Sequence, residues 1–390
     1  MEFGLVGEHL KHSFSVEIHS LIGSYDYQLK EIAPDGLKDF LKRREFRGIN
    51  VTIPYKQAVM PFLDRVSPEA ERIGAVNTIV NRDGELYGYN TDYYGFALLA
   101  KRTGISFSGR NVLIYGRGGA AKAVAAVALD AGAVKVVQTG RDTDLSTSGI
   151  GRDFDILVNA TPVGMFPATD VALPVSPEEF SHLEGVLDCI YNPLRTRLVC
   201  DAQMRGIPSD GGLYMLVAQA VKASELFRDK TLPPELADSV YDALLDIKRN
   251  TVIIGMPSCG KSTYARRLSR ETGRAFVDTD RLIEETAGMS VTDMFAQRGE
   301  AEFRRLESEV IRDVSKWQGC IIATGGGTVL NPVNMLNLKM NGRIVYLRTA
   351  LENLKTGGSR PLSKDTGALE RIYAERRPLY EKYAEVTVNR

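Results

Sequence analysis

The chain has 390 residues, of which 44% are hydrophobic and 25% charged, an ordinary globular composition in a chain too long for one core. Lys plus Arg and Asp plus Glu both number 49, so the formal net charge is zero, which argues against a nucleic-acid or membrane partner. No apolar run is long enough to span a bilayer, and no signal-peptide pattern opens the chain. The four cysteines form no C-x-x-C pair, so we expect a cytoplasmic protein with reduced thiols.

The first candidate site follows a short apolar strand predicted over residues 3–6. Ser13 and Ser15 are two residues apart, so their hydroxyls point the same way if the segment is extended. They would then bind vicinal hydroxyls or a carboxylate. The alternative, which the residues alone favour, is that Ser15 caps a helix over residues 16–21.

Two charged residues follow predicted strands in the first hundred residues. A strand over 48–53 stops at a proline, and Lys56 lies just past it, where open α/β sheets keep their clefts. The alternative is a solvated surface lysine. Residues 74–89 read as a hairpin around Asp83-Gly84, and Asp92 either ends its second strand or caps the helix that follows.

A strand, a glycine-rich turn and a helix come next. Gly116, Gly118 and Ala121 occupy G-x-G-x-x-[GA] positions, which allow a tight turn and close approach to a pyrophosphate. The following strand, predicted over 134–139, runs into Arg141 rather than an acidic residue. Because an arginine there accommodates a 2′-phosphate, the pattern favours NADP over NAD.

The alternation of strands and helices continues to residue 247. Strands are predicted over 155–160 and 186–190, and helices over 211–227 and 235–247. Only residues 248–250 separate the last helix from the next strand. Without a Gly/Ser-rich or Pro-rich spacer, we expect a fairly fixed geometry between the two halves.

The most specific motif is a phosphate loop. Gly255, Gly260, Lys261 and Ser262 match G-x-x-x-x-G-K-[ST] between a strand and a helix predicted over 263–271. The glycines let backbone N–H groups point at phosphate oxygens, the lysine supplies a cation, and the serine hydroxyl can bind magnesium. The pattern predicts a nucleotide site.

Two features after the phosphate loop also indicate ligand binding. Asp278 and Asp280 lie at i and i+2 of a predicted strand and would share one face, as a metal or hydroxyl site requires. The run Gly325-Gly326-Gly327 allows close backbone approach to a ligand. Further elements are predicted as helices over 290–298, 301–314 and 374–383 and as strands over 320–323 and 344–347.

Together these segments resemble two enzyme families joined end to end. Residues 1 to about 247 resemble shikimate dehydrogenase through HSxS (His12, Ser13, Ser15), NVTxPxK ending at Lys56, AVNT with Asn77, NTD ending at Asp92, the glycine loop at 116–121, NATPxGM at 159–165, and MLVAQA with Gln219. Residues 251–390 resemble shikimate kinase through the phosphate loop, DTD at 278–280, FRRLE at 303–307, GGG at 325–327, RPL at 360–362, and RxPLY from Arg376 to Tyr380.

The resemblance implies an α/β fold throughout. We expect a substrate-binding and catalytic domain from residues 1–100 with 211–247, a Rossmann NADP-binding domain over 101–210, and a P-loop NTPase-type kinase domain over 251–390. It also implies an enzyme of aromatic amino acid biosynthesis that uses NADPH, ATP and Mg²⁺ on 3-dehydroshikimate and shikimate.

In the dehydrogenase family the catalytic pair corresponds to Lys56 and Asp92. The resemblance assigns substrate binding to Ser13, Ser15, Asn50, Thr52, Asn77, Tyr191 and Gln219. It assigns cofactor binding to Gly116, Gly118, Gly119, Ala120, Arg141 and Thr161. Arg117 replaces a small residue of the family and either contacts cofactor phosphate or is solvated.

In the kinase family the catalytic residues correspond to Lys261, Asp280 and Arg360. The resemblance assigns shikimate binding to Arg304, Gly325, Gly326, Gly327 and Arg376. It assigns nucleotide binding to Gly255, Ser258, Gly260, Lys261, Ser262, Thr263 and Lys355, and magnesium binding to Ser262 and Asp278.

Two departures keep alternatives open. Lys355 stands where the kinase family usually has an arginine, and the lid at 355–362 is shorter than expected. A short lid would exclude water poorly. The rival hypothesis is therefore a dehydrogenase carrying a nucleotide-binding module that regulates or scaffolds without phosphorylating. Quinate is the alternative substrate of the dehydrogenase.

Overall fold

The computed structural model describes residues 1–10, 13–23, 25–140, 143, 150–354 and 366–390. The chain separates into two compact units, Met1–Leu245 and Asp246–Arg390. Both have the α/β fold that the sequence predicts. Within the described ranges, no helix is both long and apolar enough to cross a bilayer.

The first lobe of the N-terminal unit is built on a mixed sheet with strand order β2-β1-β3-β5-β6-β4. Its elements are β1 (Phe3–Gly7), α1 (Ser15–Ile22), β2 (Tyr27–Glu31), α2 (Leu37–Arg43), β3 (Gly48–Val51), β4 (Arg65–Val66), α3 (Pro68–Ile73), β5 (Thr78–Arg82), β6 (Glu85–Tyr89) and α4 (Thr91–Thr103). Strand β1 pairs in parallel with β2 and β3, and β5 is antiparallel to β3 and β6. The predicted hairpin at Asp83-Gly84 is confirmed, since Arg82 pairs with Glu85 across it.

The second lobe is built on a parallel sheet with strand order β11-β10-β9-β7-β8. Its elements, with the helices that close the unit, are β7 (Asn111–Tyr115), α5 (Gly119–Asp130), β8 (Lys135–Thr139), β9 (Ile156–Asn159), β10 (Gly185–Asp188), α6 (Arg197–Met204), β11 (Ser209–Asp210), α7 (Leu213–Arg228) and α8 (Leu236–Lys248). Val112 to Tyr115 are fully buried, because helices cover both faces of such a sheet. Helices α4 and α7 pack against each other and join the two lobes.

The C-terminal unit has a parallel sheet with strand order β13-β14-β12-β15-β16. Its elements are β12 (Asn250–Ile254), α9 (Lys261–Thr272), β13 (Phe276–Asp278), α10 (Thr279–Ala287), α11 (Val291–Gln297), α12 (Gly299–Val314), β14 (Ile321–Ala323), α13 (Pro332–Asn341), β15 (Gly342–Arg348), α14 (Thr366–Tyr383) and β16 (Val386–Asn389). Strands β12, β13 and β14 are neighbours whose carboxyl ends meet at one edge, where open parallel sheets bind ligands.

Candidate active sites

The two charged residues that follow strands of the first lobe meet as an ion pair. Lys56 lies in the turns after β3, and Asp92 lies in the first turn of α4. Lys56 Nζ donates to Asp92 Oδ2 at 2.6 Å, with side chains only 17% and 9% exposed. The surface-lysine alternative is therefore wrong. Asp92 is not the helix cap either, because Asn90 caps α4 by accepting from Tyr93 N at 3.2 Å.

Asn77 orients the second oxygen of Asp92. Its Nδ2 donates to Asp92 Oδ1 at 2.9 Å, and its Oδ1 accepts from Thr91 N at 2.7 Å. Thr91 Oγ1 also donates to Gln219 Oε1 at 3.2 Å, which connects α4 with α7. Thr78 Oγ1 lies 3.1 Å from both Asn77 Oδ1 and Thr91 Oγ1. Sequence reasoning missed the two buried threonines, although Thr78 directly follows Asn77 and Thr91 directly precedes Asp92.

Ser13 and Ser15 face each other at the start of α1. Ser13 Oγ donates to Ser15 Oγ at 3.0 Å and accepts from Ser15 N at 3.2 Å. Phe14 occupies the N-cap position, where no side chain forms a cap hydrogen bond. The prediction that Ser15 is the cap is thus wrong, because Ser15 is already the first helical residue. His12 of the same motif lies outside the described residues.

The Asn50 side chain is supported by a buried tyrosine, on which a buried histidine stacks. Tyr27 OH donates to Asn50 Oδ1 at 2.7 Å, and Asn50 Nδ2 donates to Thr78 Oγ1 at 3.0 Å. The His19 ring stacks on Tyr27 with centroids 3.7 Å apart. Burial lowers the pKa of His19 to about 3. A hydrogen bond with Asn50 acts in the opposite direction and raises this pKa, and the Arg228 charge adds a smaller lowering. His19 is therefore a neutral packing residue at physiological pH.

Thr52 and Tyr191 occupy less connected positions. Thr52 N donates to Val6 O at 2.9 Å, but within the described chain its hydroxyl makes no hydrogen bond to this cluster. Tyr191 follows β10 and its ring centroid lies 5.1 Å from that of Phe14, the neighbour of the paired serines. The structure thus brings Tyr191 near the serine pair from the other lobe.

The glycine loop of the second lobe lies against Lys56 of the Lys56–Asp92 pair. It runs from the end of β7 into the first turn of α5 and includes Gly116, Gly118, Gly119 and Ala120. Gly116 has φ +136°, and a β-carbon there would lie 2.7 Å from Ala160 O. A β-carbon at Gly119 would lie 3.3 Å from Lys56 Cδ, so the loop packs beside the lysine. A β-carbon at Gly118 would meet nothing within 4 Å, which leaves the space that a pyrophosphate needs.

The loop after β9 is held by side-chain hydrogen bonds. Thr161 donates to Asn159 Oδ1 from its N at 3.0 Å and from its Oγ1 at 2.7 Å. Arg117 is exposed beside the glycine loop. Arg141, predicted to meet the 2′-phosphate, lies outside the described residues.

The phosphate loop joins β12 to α9. Gly255 and Gly260 have φ of +150° and +87°, and Ser258 also adopts a positive φ of 64°. Lys261 opens α9, is 8% exposed, and donates through Nζ to the carbonyl oxygens of Gly255 and Met256 at 2.9 and 2.8 Å. Ser262 and Thr263 follow in the first turn. The positive end of α9 and the lysine therefore converge on the loop.

Asp278 and Asp280 do not share a strand face, so that prediction is wrong. Strand β13 ends at Asp278, whose Oδ1 caps α10 by accepting from Asp280 N at 3.2 Å. An aspartate at this position accepts hydrogen bonds from helix N–H groups that would otherwise be unpaired, which favours starting a helix over extending the strand. Asp280 instead sits against the triple-glycine turn, 2.8 Å from where a β-carbon of Gly325 would be.

The triple-glycine turn lets three groups approach its backbone. A β-carbon at Gly326 would lie 2.8 Å from Pro257 of the phosphate loop, and one at Gly327 would overlap the Arg304 guanidinium. Arg304 Nη1 donates to Glu307 Oε2 at 2.7 Å. Glu307, fully buried and missed by sequence reasoning, also accepts from Thr328 Oγ1 at 2.8 Å.

Arg376 of α14 is a buried cation on the helix that reaches the same turn through Tyr380. It is 4% exposed, and its Nε has no hydrogen-bond partner in the part of the chain that the structure describes. Tyr380, one helical turn later, donates to Gly326 O at 2.5 Å and stacks on Tyr346. A buried guanidinium with an open donor suits a carboxylate ligand. The predicted lid, with Lys355 and Arg360, lies outside the described residues.

Comparison with known proteins agrees with this geometry. Residues 5–79 match the shikimate dehydrogenase substrate binding domain, and residues 257–390 match shikimate kinase. The NADP(+)-dependent shikimate dehydrogenase of Clostridium perfringens (strain SM101 / Type A) is 37% identical over 266 aligned residues, which cover 62% of this chain and 97% of that protein. The chain belongs to the shikimate dehydrogenase family. Its residues 257–390 add a shikimate kinase domain.

Solved structures of shikimate dehydrogenases give the same result. Shikimate dehydrogenase 1 from Peptoclostridium difficile is 38% identical with a TM-score of 0.57, covering 63% of this chain and 98% of that one. The Thermus thermophilus enzyme, solved in complex with NADP(H) and shikimate, is 32% identical with a TM-score of 0.55, covering 62% and 99%. A chorismate mutase/shikimate 5-dehydrogenase fusion from Clostridium acetobutylicum is 33% identical with a TM-score of 0.57, covering 62% and 96%.

Proposed function

We propose that the chain is a bifunctional enzyme of aromatic amino acid biosynthesis. Its N-terminal unit would reduce 3-dehydroshikimate to shikimate with NADPH, and its C-terminal unit would phosphorylate shikimate to shikimate 3-phosphate with ATP. The observation that carries the proposal is that the chain joins two families whose reactions share shikimate. Each unit also holds its own cluster of buried charged side chains, at Lys56 and Asp92 in one and around Lys261 in the other.

In the N-terminal unit, Lys56 would protonate the oxygen of the substrate carbonyl as it becomes an alkoxide. When bound, NADPH supplies the hydride. Asp92 holds the Lys56 ammonium in place through the 2.6 Å hydrogen bond, and Asn77 fixes the rotation of the Asp92 carboxylate. A positioned acid of this kind contributes about 10²–10⁴-fold to a rate.

The substrate would lie beside this pair. Ser13 and Ser15 present two hydroxyls 3.0 Å apart, which fits a carboxylate or vicinal hydroxyls. Asn50, Asn77 and Gln219 add amide groups from three different elements. Such a set recognises a small polyhydroxylated acid through several hydrogen bonds.

The glycine loop fits a dinucleotide. Gly116 is in the left-handed region, Gly118 faces open space, and α5 begins at Gly119 with its positive end toward the loop. Because Gly119 packs against Lys56, a cofactor on this loop would lie next to the proton donor.

The phosphate loop fits ATP with magnesium. Lys261 and the N–H groups at the start of α9 would hold the phosphates, and Ser262 and Asp278 would contribute to the magnesium shell. In the described ranges, no group of three or more His, Cys, Asp and Glu could hold a metal by itself. That arrangement suits a magnesium ion bound mostly by nucleotide oxygens and water.

The remaining kinase residues would bind and activate shikimate. Asp280 would accept the hydrogen bond of the reacting hydroxyl and take its proton. Arg304, which lies against the triple-glycine turn, and Arg376, one helical turn before the Tyr380 that donates to Gly326 O, would pair with the carboxylate of shikimate. Catalysis would then come mainly from positioning and charge stabilisation.

A single reaction mixture tests the proposal. Purified protein is incubated with 3-dehydroshikimate, NADPH, ATP and magnesium, and the products are identified by mass. Shikimate 3-phosphate is the expected product. Shikimate without phosphate ester would refute the kinase half and support a non-phosphorylating nucleotide module, and unchanged 3-dehydroshikimate would refute the dehydrogenase half. Quinate in the oxidation direction should react more slowly than shikimate.

A further inference from the structure

Asp188 is a buried carboxyl group to which the proposed chemistry assigns no role. It is the last residue of β10, is 0% exposed, and lies next to Asn159, the last residue of β9, in the parallel sheet. Both residues therefore sit at the carboxyl edge of the second lobe. Loops that follow strands at this edge form the ligand-binding crevice of open α/β sheets.

Every hydrogen bond recorded for the Asp188 side chain is donated to it. Asn159 Nδ2 reaches both carboxylate oxygens at 3.1 Å, Thr196 Oγ1 donates at 2.7 Å, and Ile190 N donates at 2.9 Å. Burial raises the pKa of Asp188 to about 7, against these donors, which lower it. Because a carboxylate only accepts hydrogen bonds, each of these partners must keep its donor turned toward Asp188.

Asp188 determines which way the Asn159 amide points. Since Nδ2 is committed to Asp188 and also donates to Val163 O at 3.2 Å, Oδ1 faces the opposite side. There it accepts from Thr161 N at 3.0 Å and Thr161 Oγ1 at 2.7 Å. The loop 160–165 is thus tied to the sheet through two linked side chains.

This loop backs the glycine loop of the second lobe. Ala160 N donates to Tyr115 O at 2.7 Å, and Ala160 O lies 2.7 Å from where a β-carbon of Gly116 would be. A shift of the loop 160–165 would therefore move both Thr161 and Ala160, which packs against Gly116. Within the described ranges, no hydrogen bond joins Asp188 to Ser13, Ser15 or the Lys56–Asp92 pair, which belong to the other lobe.

We propose that Asp188 is a positioning residue that holds the loop 160–165 in its cofactor-binding arrangement through Asn159. The inference rests on the proposed dehydrogenase function. It assigns to Asp188 an effect on NADPH that is larger than its effect on shikimate. The loop 160–165 lies on the cofactor side of the site. In the described part of the chain, Asp188 reaches the segment before Tyr191 only through the Ile190 N–H, for which an asparagine keeps an oxygen acceptor.

The test is Asp188→Asn, which keeps size but replaces one of the two carboxylate oxygens that Asn159 Nδ2 reaches by an NH₂ group. We expect the Kd of NADPH, measured by its fluorescence, to rise at least about tenfold and the Kd of shikimate to change less than about twofold. The double variant Asn159→Asp with Asp188→Asn restores a donor facing an acceptor between the two side chains. Because it also removes the Asn159 donor to Val163 O, it should recover part of the NADPH affinity. Asp201→Asn, a half-buried carboxyl on α6 of the same lobe, is the matched control and should bind NADPH as the parent does.

Three results would overturn the inference: a parental NADPH Kd in Asp188→Asn, an equal loss of NADPH and shikimate binding, or no rescue in the double variant. If Asp188→Asn does not fold, Thr196→Val and Thr196→Ser decide, since only the serine variant keeps the donor and should keep NADPH affinity. A parent protein that binds NADPH but does not turn over 3-dehydroshikimate would refute the proposed function, while the binding comparison would still test Asp188.

Discussion

Replacing Lys56 by methionine tests the centre of the dehydrogenase site. Methionine keeps the length of the side chain that packs beside Gly119, but it removes the ammonium that donates to Asp92 at 2.6 Å. Asp92 then retains Asn77 as its side-chain donor. The substitution therefore removes the proton donor while leaving the serine pair and the glycine loop in place.

The expected loss follows from the role of the lysine. A positioned general acid contributes about 10²–10⁴-fold, so the activation free energy should rise by about 3–5 kcal/mol. The substrate KM should change less than about threefold, because the group acts on charge that develops only in the transition state. Leaving a mostly buried carboxylate without its partner should also lower the free energy of unfolding, by about 1–3 kcal/mol after allowance for its residual exposure.

The assay is the loss of NADPH absorbance with 3-dehydroshikimate, in steady state and in single turnover. Single turnover separates the chemical step from product release. Lys101→Met, an exposed position on the same helix as Asp92, is the matched control and should behave as the parent. A Lys56→Met variant that retains more than a tenth of the parent kcat would refute the assignment of Lys56 as proton donor.

Three further predictions address the other parts of the chain. Lys261→Ala should abolish phosphorylation and spare NADPH oxidation, and loss of both activities would show that the sites are not independent. The pKa of His19 is about 3 in the fold against 6.5 unfolded, so its own contribution to stability should fall by about 1.4 kcal/mol per unit as pH drops from 6.5 toward 3. Asp188, whose pKa is raised to about 7 in the fold, contributes a slope of the opposite sign down to its ordinary value of 3.8, so the His19 contribution is read as a difference between variants. In urea unfolding followed by circular dichroism, the stability difference between the parent and His19→Gln should change with pH by this amount. Fluorescence of Trp317, the only tryptophan and part of the C-terminal unit, should respond equally in both proteins. Glu307→Gln should raise the shikimate KM of the kinase about 10–100-fold by releasing Arg304, and a larger effect on the ATP KM would contradict that role.

Short-range patterns predicted the parts of the fold that depend on local chemistry. The glycine turn at Gly116, the phosphate loop at Gly260 and the hairpin at Asp83-Gly84 all require backbone conformations that few residues adopt, so their sequences are specific. Strand β2 was not predicted, because only Tyr27 of its five residues is buried and an exposed edge strand lacks the alternation of apolar residues.

Local ambiguity explains the wrong predictions. Ser15 and Asp92 both have residue types that cap helices, but the caps are Phe14 and Asn90, and the chain neighbours alone do not distinguish these positions. Asp280 fitted a strand face by spacing, yet Asp278 ends the strand by capping the next helix.

The sequence by itself determined that the chain contains two phosphate-binding loops of different types, and which residue types stand at the ends of its strands. Only the tertiary structure decided which of those residues meet. Lys56 pairs with Asp92 across 36 positions and Asn77 lies near Gln219 across 142, because the sheet and the crossing of α4 with α7 bring their elements together. Thr78, Glu307 and Asp188, which contact Asn77, Arg304 and Asn159, make their hydrogen bonds while buried. Burial of a polar side chain depends on what packs around it, which distant parts of the chain supply.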